Sequence, residues 1–523
     1  MTRTLTALLA ASASRDPAHD AVVMDGRRLT YGELETMANR FAHSLRAHGV
    51  RPGDRVGLWL PKSPEAVAAL WGAMKAGAAY VPVDPGAPPA RLGFIARDCG
   101  LAALVSRADR ASGLTEAFQA GAPMRAVWFA DEAADVPTIH DLPGVPWASL
   151  AAESSAAPAA SPAEDDLAYI LYTSGSTGEP KGVMHTHASA RAFVDWAART
   201  FAVAPADRLS NHAPFHFDLS TFDLFAAAAA GASVHPVPAR VTAFPAAIAK
   251  MYTSERLTIW YETPSSLVLM LTRGGLADLD LSALRLLLFA GEVMPVRTLR
   301  ELMALATGAR FANLYGPTET NVCTWFDVTS PPAEGSALPI GHACSDDGLL
   351  ILDPELRPVA AHDTGELWVH GGSVMRGYWN RAERTTESLR EITLPGGASV
   401  TAYRTGDLVR ERSDGALEFL GRRDHQVKTR GYRVELGEIE TVLQRHPSVA
   451  EAIVLAVPDE EITNRLIAIV VAVPGMSPDE PDLKQHCAGA LPRYMVPERI
   501  AFRDAFPRTS SGKIDRRALT AST

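Results

Sequence analysis

Apolar positions change period several times along this chain, and the changes divide it. From Ala21 to Asp98, short β-rich runs such as Arg55-Val-Gly-Leu-Trp-Leu60 alternate with helical patterns such as Pro64-Glu-Ala-Val-Ala-Ala-Leu-Trp-Gly-Ala-Met74. Alternation of that kind predicts parallel βαβ units. A second alternating region runs from Asp166 to about Thr329. Within it Arg285-Leu-Leu-Leu-Phe-Ala290 is almost wholly apolar and predicts a parallel strand covered on both faces, with ligands gathering at the carboxyl ends of such strands. Between the two regions, Ala151 to Ala163 is rich in Ala, Ser and Pro, buries too little apolar area to order itself firmly, and reads as a surface connection. From Pro339 to Leu420 the pattern shortens to strands and turns: Leu349-Leu-Ile-Leu352, Gly365-Glu-Leu-Trp-Val-His370 and Asp414-Gly-Ala-Leu-Glu-Phe419. These predict a small β-rich subdomain. After Asp424 about a hundred residues carry their own helix and strand signals, enough for a separate small α+β domain. There is no internal repeat.

Length fits this division, since 523 residues at ~150 per packing unit make about three or four. Hydrophobic residues make up 47% and charged residues 21%, which excludes a disordered or collagen-like chain. The net charge of −10 comes from interspersed acids and bases, with no basic run to suit nucleic acid or an anionic membrane. Small molecules and proteins are the expected partners. Cys99, Cys323, Cys344 and Cys487 are far apart, so neither a disulfide framework nor a structural zinc site is indicated, and a cytoplasmic location is expected. The first residues, with Arg3, a short apolar stretch and Ala11-Ser-Ala13, superficially resemble a signal peptide. Thr4 and Thr6 interrupt the apolar stretch, however, and Arg15-Asp16-Pro17 reads as the end of an amphipathic helix. The longest uncharged window, Leu224 to Ala239, holds Pro236 and Pro238 and is too short to span a bilayer of ~30 Å.

The most informative stretch is Ile170-Leu-Tyr-Thr-Ser-Gly-Ser-Thr-Gly-Glu-Pro-Lys-Gly182, an apolar strand running into a loop of glycines and hydroxyls that ends on a lysine. Glycines let backbone N–H groups converge on an anion, hydroxyls donate further hydrogen bonds, and a lysine adds a point charge. It is not a Walker loop, because no Gly-Lys-Ser/Thr follows at the required spacing. Alone, such a loop is more often only a flexible turn. It is accompanied by Asn313-Leu-Tyr-Gly-Pro-Thr-Glu-Thr320, by Tyr403-Arg-Thr-Gly-Asp-Leu408, and by Gly421-Arg-Arg-Asp-His-Gln-Val-Lys-Thr-Arg-Gly-Tyr-Arg-Val-Glu-Leu-Gly-Glu-Ile-Glu440.

Together these segments resemble the AMP-forming adenylate superfamily: acyl-CoA synthetases, luciferases and the adenylation domains of nonribosomal peptide synthetases. The resemblance covers nearly the whole chain in order, from Leu29-Thr-Tyr-Gly-Glu-Leu34 through Lys75-Ala-Gly-Ala-Ala-Tyr-Val-Pro-Val-Asp-Pro85 to Ser511-Gly-Lys-Ile-Asp-Arg516. It implies an α/β fold combined with α+β. Residues 1–423 would form a large domain of two doubly wound sheets and a small β-barrel-like subdomain, divided roughly at 1–165, 166–335 and 336–423. Residues 424–523 would form a small mobile α+β domain hinged at Asp424.

The resemblance also implies the chemistry. A carboxylate oxygen attacks the α-phosphorus of ATP and pyrophosphate leaves, a reaction between anions that needs positive charge and Mg²⁺. Thr173, Ser174, Gly175, Ser176, Thr177, Gly178 and Lys181 would embrace the phosphates. Glu319 would hold Mg²⁺ and Thr318 would donate to the α-phosphate. Tyr315 would stack on adenine and Asp407 would hold the ribose hydroxyls, with Gly291, Asn313, Gly316, Phe419 and Arg422 completing the nucleotide site. Phe419 stands where the family commonly has Tyr. Lys513 occupies the position of the catalytic lysine that bridges substrate carboxylate and phosphate. The loop from Lys428 to Arg433 would serve a second half-reaction, in which Phe217, Gly431 and Tyr432 line a tunnel for a pantetheine arm.

Within Phe217-Asp-Leu-Ser220, Asp218 matches the aspartate that amino-acid-activating members pair with the substrate ammonium, so an α-amino acid is expected. The remaining pocket positions match Leu219, Phe222, Tyr261, Leu288, Ala290, Leu314, Val322 and Cys323. Bulky Leu219, Tyr261 and Leu314 leave room for a small apolar side chain. This set resembles that of freestanding L-prolyl-AMP ligases of pyrrole-forming pathways, which implies L-proline, with the direction of Glu262 left open. No carrier segment follows Lys513, so the thiol is expected on the phosphopantetheine of a separate peptidyl carrier protein. Another small amino acid, or coenzyme A as acceptor, remains an alternative, as does a non-catalytic binding protein of the same fold. His185-x-His187 and His212-x-x-x-His216 would suit a metal hydrolase less well, because Pro214 breaks the helical register and no H-E-x-x-H is present.

Overall fold

The computed structural model describes residues 3–118, 124–131, 135–159, 161–175, 179–394, 396–423, 426–459, 461–508, 514, 516 and 519. Ser176, Thr177, Gly178, Asp424 and Lys513 lie outside the described residues.

Two large sheets form the N-terminal part. In one, strands Arg55–Leu58, Ala79–Pro82, Ala103–Ser106, Val127–Phe129 and Gly144–Pro146 run parallel and join the hairpin Leu167–Thr173/Lys181–Thr186 through Ala79–Pro82. In the other, Arg208–Asn211, Ser233–Pro236, Ile259–Glu262, Leu286–Ala290 and Arg310–Tyr315 are parallel. All five residues of Leu286–Ala290 are buried, as its unbroken apolar run predicts. Helices close on local signals. Thr30 and Glu33 form a capping box at the head of Tyr31–Ala47, and Ser63 caps Pro64–Lys75, which has proline in its first turn. The first helix, Leu5–Arg15, buries Leu5, Leu8 and Leu9, and its Ser12 hydroxyl donates to the Ala228 carbonyl at 2.6 Å. No helix among the described residues is long and apolar enough to cross a membrane.

The sheets do not follow the divisions at 165 and 335. Asp20–Met24 and Arg27–Thr30, from the first division, complete the second sheet through the parallel pair Val22↔Val234. Leu167–Thr173 and Lys181–Thr186, from the second division, complete the first sheet through Tyr80↔Tyr169. Hydrophobic period shows that a strand exists and which of its faces is apolar, but it holds no record of a partner ~90 to 200 residues away.

Strands Gly348–Leu352, Thr364–His370, Leu389–Thr393, Ser399–Glu411 and Leu417–Arg422 make an antiparallel five-stranded sheet. The C-terminal part has a hairpin, Gln426–Thr429/Tyr432–Glu435. Beyond it a three-stranded sheet of Val449–Asp459, Thr463–Ala472 and Arg499–Phe502 packs with helices Leu436–Gln444 and Glu480–Ala488 around its own core. The Ala/Ser/Pro connection near residue 155 is mostly exposed and is held to the helix Tyr31–Ala47, where Asn39 Nδ2 donates to the Ser155 carbonyl and His43 Nε2 lies 2.9 Å from the Ala156 carbonyl.

Candidate active site

A cavity of about 830 Å³ opens where the carboxyl ends of Ile259–Glu262, Leu286–Ala290 and Arg310–Tyr315 meet the antiparallel sheet and the C-terminal hairpin. Its wall holds Asp218, Leu219, Tyr261, Ala290, Gly291, Asn313, Leu314, Tyr315, Gly316, Thr318, Val322, Asp407, Phe419 and Arg422, together with Phe217 and Gly431. Segments spread over more than two hundred residues therefore converge on one space.

At one end the Asp407 carboxylate accepts from Arg422 Nη1 at 2.6 Å and from the Tyr315 hydroxyl. The Tyr315 ring lies 6.3 Å from Phe419. The Gly316–Thr320 turn is tight: a Cβ on Gly316 would stand 2.0 Å from the Asn321 carbonyl, so only glycine fits. That turn presents Glu319, which is 0% exposed. Its Oε1 accepts from Lys181 Nζ at 3.0 Å and the Tyr378 hydroxyl at 2.7 Å, and its Oε2 accepts from Arg433 Nη1 at 2.7 Å. Burial works to raise the Glu319 carboxyl, but Arg433 and then Lys181 outweigh it and hold the group well below the usual carboxylate range. Burial pushes the Lys181 ammonium down to about 8 against the pull of Glu319.

The expectation that Glu319 holds Mg²⁺ is corrected for this arrangement. Both carboxylate oxygens are committed to two cations and a phenol, so a divalent cation does not fit while Arg433 is there. Ser174 and Gly175, expected on phosphate, also engage the C-terminal part. The Ser174 hydroxyl donates to the Arg433 carbonyl and accepts from Glu435 N, and Gly175 N donates to Glu438 Oε2 at 3.2 Å. Glu438 also pairs with Arg91 at 2.8 Å. The Thr173 hydroxyl is buried with no hydrogen-bond partner among the described residues.

At the other end, Asp218 sits at the start of a short helical turn, Leu219–Thr221. Burial raises its carboxyl, while the Thr318 hydroxyl and the Lys428 ammonium act to lower it. The surrounding Leu219, Tyr261, Ala290, Leu314 and Val322 are apolar, and the buried Tyr261 hydroxyl has no partner among the described residues. Phe222, Leu288 and Cys323, expected in the pocket, are not on the cavity wall. Phe222 meets the far side of Tyr261 edge-on at 5.4 Å. Leu288 shares a strand face with Ala290 but lies two residues deeper, ~7 Å back in the core. Cys323 packs with Ile340, Leu367 and Val409 under the antiparallel sheet. Glu262 turns away from this cavity toward His212 and Tyr252.

The C-terminal part is docked on the cavity. Gly431 N donates to Glu292 Oε1 at 2.7 Å, and Tyr432 lies 5.6 Å from Phe217 while stacking on Tyr494 at 3.8 Å. Lys428 and Arg433 therefore belong to the site, with Tyr378. The sequence motif named the first two only as the ends of a loop, and Tyr378 carried no signal. His185 and His187 do not converge: His185 contacts Ser189 Oγ and the Thr318 carbonyl, and His187 accepts from Leu5 N.

Residues 9–379 match the family described as AMP-binding enzyme, and residues 438–513 match the AMP-binding enzyme C-terminal domain. An L-proline--[L-prolyl-carrier protein] ligase of Pseudomonas fluorescens is 41% identical over 509 residues, covering 97% of each chain. One of the same name from Streptomyces coelicolor is 40% identical, over 94% of this chain and 91% of its own. Among solved structures, the amide bond synthetase McbA from Marinactinospora thermotolerans superposes with TM-score 0.86 at 24% identity over 99% of both chains, a likeness of fold. Holo-PA1221, a nonribosomal peptide synthetase protein with adenylation and carrier domains, gives 0.81 at 26% identity over 100% of this chain and 84% of its own.

Proposed function

This chain belongs to the AMP-binding enzyme family and is an AMP-forming ligase, and from that premise we propose that it activates L-proline as prolyl-AMP and passes it to the phosphopantetheine thiol of a separate peptidyl carrier protein. One observation carries the substrate assignment: a carboxylate, Asp218, raised by burial, on the cavity wall beside the apolar side chains of Leu219, Ala290, Leu314 and Val322. A buried carboxylate is costly unless a cation meets it, and the ammonium of an amino acid supplies that cation. Leu219, Tyr261, Leu314 and Val322 leave space for a compact apolar side chain, and the activity named for two relatives at 40–41% identity supports proline.

At the nucleotide end, Tyr315, Phe419 and Asp407 take adenine and ribose, and Thr173 with the glycine-rich loop and Lys181 takes phosphate. Lys513 neutralises charge as the carboxylate oxygen attacks the α-phosphorus and pyrophosphate leaves. Glu319 does not hold Mg²⁺ in the docked arrangement. Arg433, Ser174 and Gly175 must part before the β- and γ-phosphates of ATP are bound, which supports reading the arrangement described as the one for thiol transfer, after pyrophosphate has left. The enzyme works in the cytoplasm, where its four buried cysteines remain thiols. Exchange of labelled pyrophosphate into ATP across all twenty amino acids tests the reading, followed by loading assays with a carrier protein and with coenzyme A. Response to L-proline alone is expected; response to another amino acid overturns the pocket reading.

A further inference from the structure

Beside the main cavity lies a second of about 610 Å³ that shares Phe217, Leu219 and Tyr261 with it. Its other wall includes Arg430 and Tyr432 of the C-terminal part, so it exists only when that part is docked. His212 faces it. The His212 Nδ1 lies 2.8 Å from Glu262 Oε2 and 3.1 Å from Ser266 Oγ. Glu262 is 1% exposed; burial works to raise its carboxyl, but His212, Tyr252 and Ser266 overcome this and lower it, so it is ionised. A ring nitrogen at that distance from a carboxylate carries the proton, because a lone pair there would face negative charge. In the tautomer with that proton on Nδ1, the ring lone pair is on Nε2. Nε2 has no hydrogen-bond partner among the described residues, and the side chain, 17% exposed, opens to the cavity. Lys62 Nζ fixes the backbone behind it, donating to the carbonyls of Asn211 at 2.6 Å and His212 at 2.7 Å.

We propose that His212 is the general base for the acceptor thiol, with Glu262 as the positioning residue that fixes its tautomer. The assignment rests on the thiol-transfer reading above. His212 Nε2 takes the proton of the thiol as sulfur attacks the carbonyl carbon of the aminoacyl-AMP. The C–S bond forms, the C–O bond to the phosphate breaks, its electron pair leaves with AMP, and the imidazolium returns its proton to water. A thiol of pKa ~8.5 is mostly protonated near neutrality, so a positioned base contributes about 10²–10⁴-fold.

The test separates the half-reactions in the full-length enzyme. Single-turnover transfer from enzyme-bound prolyl-AMP to pantetheine is compared with transfer to pantetheine analogues of more acidic thiol, using proline-dependent pyrophosphate exchange as the control for folding and adenylation. His212→Gln is expected to exchange normally and to transfer to pantetheine about 100-fold more slowly, with the deficit shrinking as the thiol becomes more acidic. Glu262→Gln should fall between the two with the same thiol dependence, and imidazole should restore His212→Ala. A deficit equal for every thiol, no deficit, or loss of exchange in both His212 variants overturns the assignment. Absence of proline-dependent exchange in the unmodified enzyme overturns the substrate reading instead.

Discussion

Replacing Gly431 by Ala is expected to separate loading from adenylation. Gly431 has φ +82°, and a Cβ built on it would stand 2.6 Å from Thr263 Cγ2, 3.2 Å from its Cβ and 3.3 Å from its Oγ1. Carbon atoms in ordinary contact are ~3.5–4.0 Å apart, so something must move. Thr263 is poorly placed to move, because it is β-branched and its hydroxyl caps the helix Pro264–Thr272. Left-handed backbone costs a non-glycine residue ~1–2 kcal/mol wherever the loop sits, so that part weighs on docked and undocked arrangements alike. The overlap, costing ~1–3 kcal/mol as overpacking does, weighs on the docked arrangement alone. Docking should therefore weaken about 5–150-fold. Single-turnover carrier loading is expected to fall by that factor while proline-dependent pyrophosphate exchange changes far less. Thr263→Ser removes the offending methyl and keeps the capping oxygen, so the double variant should recover most of the loading. Equal losses in the two assays, or no recovery from Thr263→Ser, would refute the reasoning.

Asp218→Asn should raise the KM for the amino acid ~100-fold or more while ATP binding persists, as removing one partner of a buried ion pair costs about 3–5 kcal/mol. Because burial lifts the Asp218 carboxyl, the wild-type KM should rise as pH falls through a value above the ordinary carboxylate range, and this limb should vanish in the Asn variant. Unchanged saturation would take Asp218 out of the pocket. Burial also lifts Asp347 to about 6, against hydrogen bonds from the Ser373 amide and hydroxyl. A carboxyl raised on folding contributes most below its unfolded value and loses that contribution as pH rises through about 6. Asp347→Asn should thus gain stability relative to wild type between pH 4 and 8, by up to ~3 kcal/mol, read as a widening gap in thermal midpoint. A gap independent of pH would show that Asp347 is not lifted.

The buried strand at Leu286–Ala290 was legible because it is written in contiguous residues whose unbroken apolar run needs no distant partner to be recognised. Ordered motifs likewise identified the family and proposed Asp218 and Asp407. Three pocket expectations failed at Phe222, Leu288 and Cys323, because a position in a motif does not record how deep a side chain lies behind its neighbours. Glu262 could be read from the sequence only as a charge near the pocket; the structure turns it toward a histidine fifty residues away.

The sequence by itself determined the groups available: a loop of glycines and hydroxyls ending on a lysine, carboxylates at Glu319, Asp407 and Asp218, and two parts able to fold around their own cores. Only the tertiary structure decided which charges meet. Glu319 bonds Lys181 and Arg433 across 138 and 114 residues, and that pairing settles whether the carboxylate holds cationic side chains or has an oxygen free for a metal ion. The reason is physical. Propensity, capping and period act over a few residues, whereas ion pairing and desolvation depend on distances in space that are set when the sheets and the C-terminal part pack together.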